Sequence, residues 1–138
     1  IEKQLPGVGI SIGLTRLFYV LDEQGLLNPE LPSAPADALV LPMGGDVAPA
    51  IAVAESIRAE GLRVQLYCEQ KKFKQKMAYA NKLAVPFAIL LGEDEIAEGK
   101  CSVKNMVSGE QVKLTPAEAA AHIKAELAKA SGAVILEK

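Results

Sequence analysis

"ALVLPMGGDVAPAIAVAESIRAEGLRVQLYC", residues 38–68, decides the fold. It opens on "ALVLPM", an apolar run of a strand's length. "GGD" then breaks the run. Asp46 is placed to cap a helix, and Pro49 falls in the first helical turn, where a missing N–H leaves no bond unmade. Ala50, Val53, Ala54 and Ile57 recur at helical spacing and form one buried stripe. Gly61 ends that helix, and "RVQLYC" is a second strand. Strand, helix and strand in this order imply parallel pairing through a right-handed crossover.

The pattern continues towards the C-terminus. A helix is expected over residues 71–84, then a third apolar strand, "PFAILLG". "KCSVKNM" and "EQVKLT" flank "VSG" and read as an antiparallel hairpin. Thr115 caps a last helix from Pro116 to about residue 130. The expected fold is α/β: a mixed sheet of about five strands, three parallel and two in a hairpin, with three flanking helices. "GEDEIAEGK" lies between strand and hairpin and is assigned no role beyond solubility.

Towards the N-terminus, "LNPELPSAPAD" holds three prolines and can be neither a helix nor a central strand. It divides the chain into residues 1–27, a linker over 28–36 and an α/β domain over 37–138. Before it stands "GVGISIGLTRLF". Residues 8–13 suit a strand, and Leu14, Leu17, Phe18 and Leu21 fall on one helical face that ends near Gly25. Gly7, Gly9 and Gly13 lack the Gly-Lys-Ser/Thr ending of a phosphate loop and miss the dinucleotide spacing by one residue. Because the chain starts on Ile1 and enters a glycine-rich motif at once, it is expected to be the C-terminal part of something longer.

Bulk properties narrow the classes. No apolar run reaches the ~18 residues of a membrane span, and no signal peptide is visible. Cys68 and Cys101 stand far apart without a CxxC, as in a cytoplasmic protein with reduced thiols. His122 is the only histidine, so any histidine-based catalytic arrangement must use it. No metal-ligand spacing is present. The net charge of −2 conceals a segregation. In "EQKKFKQKMAYANK" five lysines, Lys71, Lys72, Lys74, Lys76 and Lys82, follow Glu69, and no acid occurs from residue 70 to residue 92. That tract carries +5, which leaves −7 elsewhere. As a helix it directs Phe73, Met77, Ala80 and Ala84 inward and places Lys72 and Lys76 one turn apart on the solvent face. Clustered cations of this kind suit a row of phosphates, each adding counterion release on binding.

Two resemblances follow from these residues. "GISIGLTRLF" resembles motif 3 of the class II aminoacyl-tRNA synthetases. The resemblance implies that Gly9 and Gly13 leave room for adenine and that Arg16 neutralises nucleotide phosphate. Thr15 departs from the family, which often has an acid there. The stretch from "ADALVLPMGGD" to "EQVKL" looks like the anticodon-binding domain shared by the histidyl, threonyl, prolyl and glycyl enzymes. Through "KKFKQKMAYANKLAVPFAILLGEDE" it is most similar to the histidyl-tRNA synthetase family. Residues 1–27 are then a strand-helix remnant of a catalytic domain.

What the resemblance implies is a C-terminal piece that binds the anticodon stem-loop of tRNA(His), within a cytoplasmic homodimer that activates histidine with ATP and Mg2+. The implied tRNA-binding residues are Glu69, Gln70, Lys71, Lys72, Phe73, Lys74, Lys76, Asn81 and Lys82. Glu69 and Gln70 sit at the carboxyl edge of a parallel strand, where α/β sheets bind ligands. Tyr67 and Phe73 can stack on a base or pack in the core. No cofactor is implied for the piece itself, and it is expected to be inactive alone. Three other readings stay open: a non-catalytic synthetase-like partner of ATP phosphoribosyltransferase, the equivalent domain of another synthetase of this subclass, and a small-molecule module with "MGGD" as its ligand loop.

Overall fold

The computed structural model describes residues 4–29 and 33–136, the last five by their backbone alone. Residues 30–32 of the expected linker lie outside the described residues. So do residues 1–3 of the expected remnant and residues 137–138 of the expected domain. Two compact units result, Ile1–Pro32 and Ser33–Lys138. The second begins before residue 37, because Ala34 and Ala36 are already buried.

The first unit holds one helix, α1 (Leu14–Glu23). Gly13 stands at its N-cap, and Gly25 turns the chain away at φ +65°. The strand expected over residues 8–13 is not formed. A strand is stabilised by ladder pairing, and the described residues of this unit contain no second strand. The stripe of α1 is not buried either: Leu14, Leu17 and Phe18 are exposed and Leu21 is half-buried.

In the second unit, β1 (Ala38–Pro42), α2 (Ala48–Ala59), β2 (Val64–Leu66), α3 (Phe73–Leu83) and β3 (Phe87–Leu91) follow as the sequence predicts. Next come α4 (Glu93–Glu98), β4 (Cys101–Asn105), β5 (Gln111–Leu114) and α5 (Pro116–Leu136). The sheet order is β2-β1-β3-β4-β5. β1 pairs in parallel with β2 and β3, and β4 is antiparallel to both β3 and β5.

Side chains alternate across β1. Ala38 and Val40 join Ala54 and Ile57 of α2 and Ile123 of α5 on one face. Leu39 and Leu41 join Ala80, Met77 and Leu83 of α3 on the other. α2 and α5 therefore cover one face of the sheet and α3 the other. The capping expectations are met in outline. Asp46 accepts from the Ala48 N–H at 2.9 Å, one residue ahead of the cap position itself. Thr115 and Glu118 bond reciprocally at the start of α5. The helix then runs past residue 130, since nothing in "AKASGAVIL" breaks it firmly.

α4 adds a fourth helix to the three expected around this sheet. The acidic segment forms it because Glu95 folds back onto the Gly92 N–H at 3.1 Å while accepting from the Ser102 hydroxyl at 3.0 Å. That hydroxyl bond, set against partial burial, holds the Glu95 carboxyl below its ordinary range.

The inward face of α3 also differs from expectation. Lys76 is 5% exposed, whereas Phe73 is 46% exposed. Ala84, expected inside, is exposed and adopts φ +53°, because the helix ends there. Long-range pairing explains the rotation. The Val40 and Pro42 carbonyls point to the same side of β1, two residues apart. Tyr67 N–H reaches Val40 at 2.9 Å, but β2 ends too early to reach Pro42. Lys76 supplies the missing donor, with its ammonium on the Pro42 carbonyl.

Candidate nucleic-acid interface

Residues 67–72 form the loop between β2 and α3, and its position is fixed at three points. Tyr67 is buried, and its ring meets that of Tyr79 edge-on, with centroids 5.3 Å apart. Gln70 Nε2 donates to the Gly45 carbonyl at 3.4 Å, tying this loop to the one after β1. Lys72 N–H donates to Gln75 Oε1 at 3.2 Å, which satisfies a free donor at the start of α3.

The loop parts two clefts. The first, of about 530 Å³, lies between the edge strand β2 and α3. Tyr67, Glu69, Lys71, Gln75, Tyr79 and Lys82 line it. The second, of about 310 Å³, lies between the loops that follow β1 and β2. Met43, Gly44 and Gly45 form one wall, and Gln70, Lys71, Lys72 and Lys76 the other. Lys71 borders both and stands 3.6 Å from Glu69 in an exposed ion pair.

Most of the site residues expected from sequence converge here. Glu69, Gln70, Lys71, Lys72 and Lys82 are exposed around the clefts. Phe73, Lys74 and Asn81 are exposed on α3 but line neither cleft. Lys76 is not the exposed partner of Lys72: it is the buried floor of the second cleft. Gln75 and Tyr79 were missed. Their spacing with Lys82, at i, i+4 and i+7, is the signal that joins them on one face. Gly44 and Gly45 belong, on the sequence, to a cap and to the "MGGD" loop of the small-molecule alternative, not to the RNA-binding set.

Chemically, the first cleft offers an aromatic edge with a carboxylate, an amide and two ammonium groups. That set can stack on and hydrogen-bond an unstacked base. The free edge of β2 is blunted: Arg58 Nε and Nη2 donate to the Val64 carbonyl at 3.0 and 2.8 Å. This occupies an acceptor that another strand could otherwise pair with.

In the first unit, Gly9, Gly13 and Arg16 are exposed. A Cβ on Gly9 would meet nothing within 4 Å, and one on Gly13 would touch only the Arg16 stem at 3.7–3.9 Å. The space expected for a nucleotide is thus open, and this unit does not itself enclose it. Among the described residues no helix is long and apolar enough to cross a membrane, and no cluster of His, Cys, Asp and Glu is placed to hold a metal.

The family model described as "Anticodon binding domain" matches residues 37–126. This chain belongs to that family. The match begins one residue before β1 and ends within α5, so it takes in the sheet and both clefts. The histidine–tRNA ligase of Clostridium tetani is 47% identical over 123 residues, 89% of this chain and 28% of that protein. A crystal structure of histidyl-tRNA synthetase from Nostoc sp. PCC 7120 superimposes with a TM-score of 0.67 at 37% identity, covering 84% of this chain and 28% of that one. The apo S. aureus histidyl-tRNA synthetase gives 0.62 at 26% identity over 80% of this chain and 28% of that one. The chain spans about a quarter of the length of the curated relatives it matches. The similarity to the histidyl enzymes expected from the sequence is therefore found, as is the mixed α/β sheet.

Proposed function

We propose that this chain is the C-terminal part of a histidine–tRNA ligase and that its sheet-bearing unit binds the anticodon region of tRNA(His). The observation that carries this reading is 47% identity to a histidine–tRNA ligase across 89% of the chain. It disfavours the regulatory-partner and small-molecule readings. The whole enzyme, in this proposal, is a cytoplasmic homodimer that activates histidine with ATP and Mg2+ and transfers it to the tRNA. Gly9, Gly13 and Arg16 contribute one wall of the ATP site, completed by residues outside this chain.

Within the anticodon-binding unit the roles divide by chemistry. Lys71, Lys72, Lys74 and Lys82 meet phosphates of the stem or loop, which positions the RNA without reading it. Glu69 and Gln70 meet base edges, and the exposed Tyr79 and Phe73 offer rings for stacking. Binding of a tRNA(His) anticodon stem-loop, against loops with altered anticodon bases, tests the reading. Gln70→Ala is expected to narrow the gap between matched and altered loops by about 1–3 kcal/mol while leaving the salt dependence in place. Equal affinity of the unsubstituted chain for all loops would refute the assignment.

A further inference from the structure

The second cleft stands where the sheet topology makes an opening. α2 leaves β1 towards one face and α3 leaves β2 towards the other. The loops after these neighbouring strands therefore part, and open α/β sheets take ligands in such crevices at the carboxyl ends of the strands. Here the crevice has a cationic floor. Lys76 is 5% exposed, its ammonium bonds the Pro42 carbonyl, and it stands 5.7 Å from the Tyr67 ring centroid. An ammonium has three donors, and the carbonyl takes one. Among the described residues no carboxylate lies within ion-pair distance of Lys76.

Burying an ammonium without a counter-charge is costly, and an anion seated beside it removes that cost. The rest of the cleft is suited to one. Lys71 and Lys72 add two ammonium groups, and Glu69 offsets only Lys71, through an exposed contact at 3.6 Å. Gly44 and Gly45 leave the opposite wall as bare backbone, with nothing within 4 Å of either Cβ position. The neighbouring acid, Asp46, turns Oδ1 to the Ala48 N–H and does not line the cleft.

We propose that this cleft seats one phosphate group, held from below by Lys76 and from the rim by Lys71 and Lys72. Three ammonium groups around a compact anion match the oxygens of a phosphate. The inference rests on the RNA reading only for its source: a phosphodiester of the bound RNA, or a free phosphate.

The test uses the full 138-residue chain. Inorganic phosphate and, separately, the anticodon stem-loop are titrated while backbone amide resonances of Gly44, Gly45 and Lys72 are followed, with chloride at equal ionic strength as control. Lys76→Met and the double substitution Lys71→Ala/Lys72→Ala are compared with the unsubstituted chain. A saturable shift at these amides with phosphate but not chloride is expected. Both variants are expected to weaken it about tenfold or more. Lys76→Met is also expected to lower the slope of log K against log salt for the RNA by about 0.7. A phosphate response without RNA binding would support the seat with a free-phosphate source and refute the RNA reading. RNA binding weakened by both variants, without a phosphate response, would support a phosphodiester source. Unchanged RNA affinity in both variants with no phosphate response, or a chloride response equal to that of phosphate, overturns the proposal. If Lys76→Met fails to melt cooperatively, the rim double variant decides alone, and unchanged affinity there overturns it.

Discussion

Asp37→Asn is the sharpest test of how β2, which leads into the loop of residues 67–72, is held. β2 is a three-residue edge strand, and its entry is clamped by one side chain. Asp37 accepts from Arg63 Nη2 at 2.7 Å, Nε at 3.3 Å and the Arg63 N–H at 2.9 Å. The Arg63 carbonyl in return accepts from the Asp37 N–H at 2.8 Å. An asparagine keeps one carbonyl acceptor but turns an amino group towards a cation. Bonds to charged groups contribute about 1.5–3 kcal/mol and neutral ones about 0.5–1.5. Arg63 is 49% exposed, so solvent screening reduces the difference. The substitution is therefore expected to cost about 1–1.5 kcal/mol at pH 7.

The pH dependence has a fixed sign. Burial raises the Asp37 carboxyl pKa, but the side-chain and backbone bonds from Arg63 and the Arg63 charge outweigh it, leaving the net value below the ordinary 3.8. A lowered carboxyl contributes stability that is complete above its unfolded value and is lost as pH falls through its folded one. Urea unfolding of both chains at pH 7, 5, 3 and 2 measures this. The gap should be the same at pH 7 and 5 and should shrink below 3.8. A gap at pH 2 as large as at pH 7 would show that the charge of Asp37 is not what holds β2.

Two further outcomes are expected. Cys68 is exposed, while Cys101 is buried and burial, with the nearby Glu95 charge, pushes its thiol up to about 11. A disulfide reagent at pH 8 should therefore titrate one thiol quickly and the second only on unfolding, and two fast thiols would contradict the placement of β4. Histidine-dependent ATP–pyrophosphate exchange by this chain alone should stay at background, since Gly9, Gly13 and Arg16 lie exposed on a unit that encloses no nucleotide. Exchange clearly above background would refute that reading.

The sequence by itself determined the order and type of most elements of the sheet-bearing unit. "ALVLPM", the Ala50–Ala54–Ile57 stripe, Gly61 and the Thr115–Glu118 cap act through periodicity and bonds a few residues long, and such signals survive in any context. It also carried the family resemblance and placed Glu69, Gln70 and the lysines on one loop and helix. Tertiary structure decided the rest. Residues 8–13 have a strand's pattern but need a partner strand, which pattern cannot supply. The acidic segment becomes α4 where Glu95, bonded back to the Gly92 N–H, also meets Ser102 on a later strand. The face of α3 was set by the Pro42 carbonyl, thirty-four residues before Lys76, left without a donor where β2 stops. Periodicity ranks lysine as a solvent residue, and a single buried acceptor at the end of a strand reverses that ranking. The same long-range pairing brings Gly44 and Gly45 to face Gln70–Lys72 and so creates the second cleft, because loops at the carboxyl ends of adjacent parallel strands meet only once the sheet has formed.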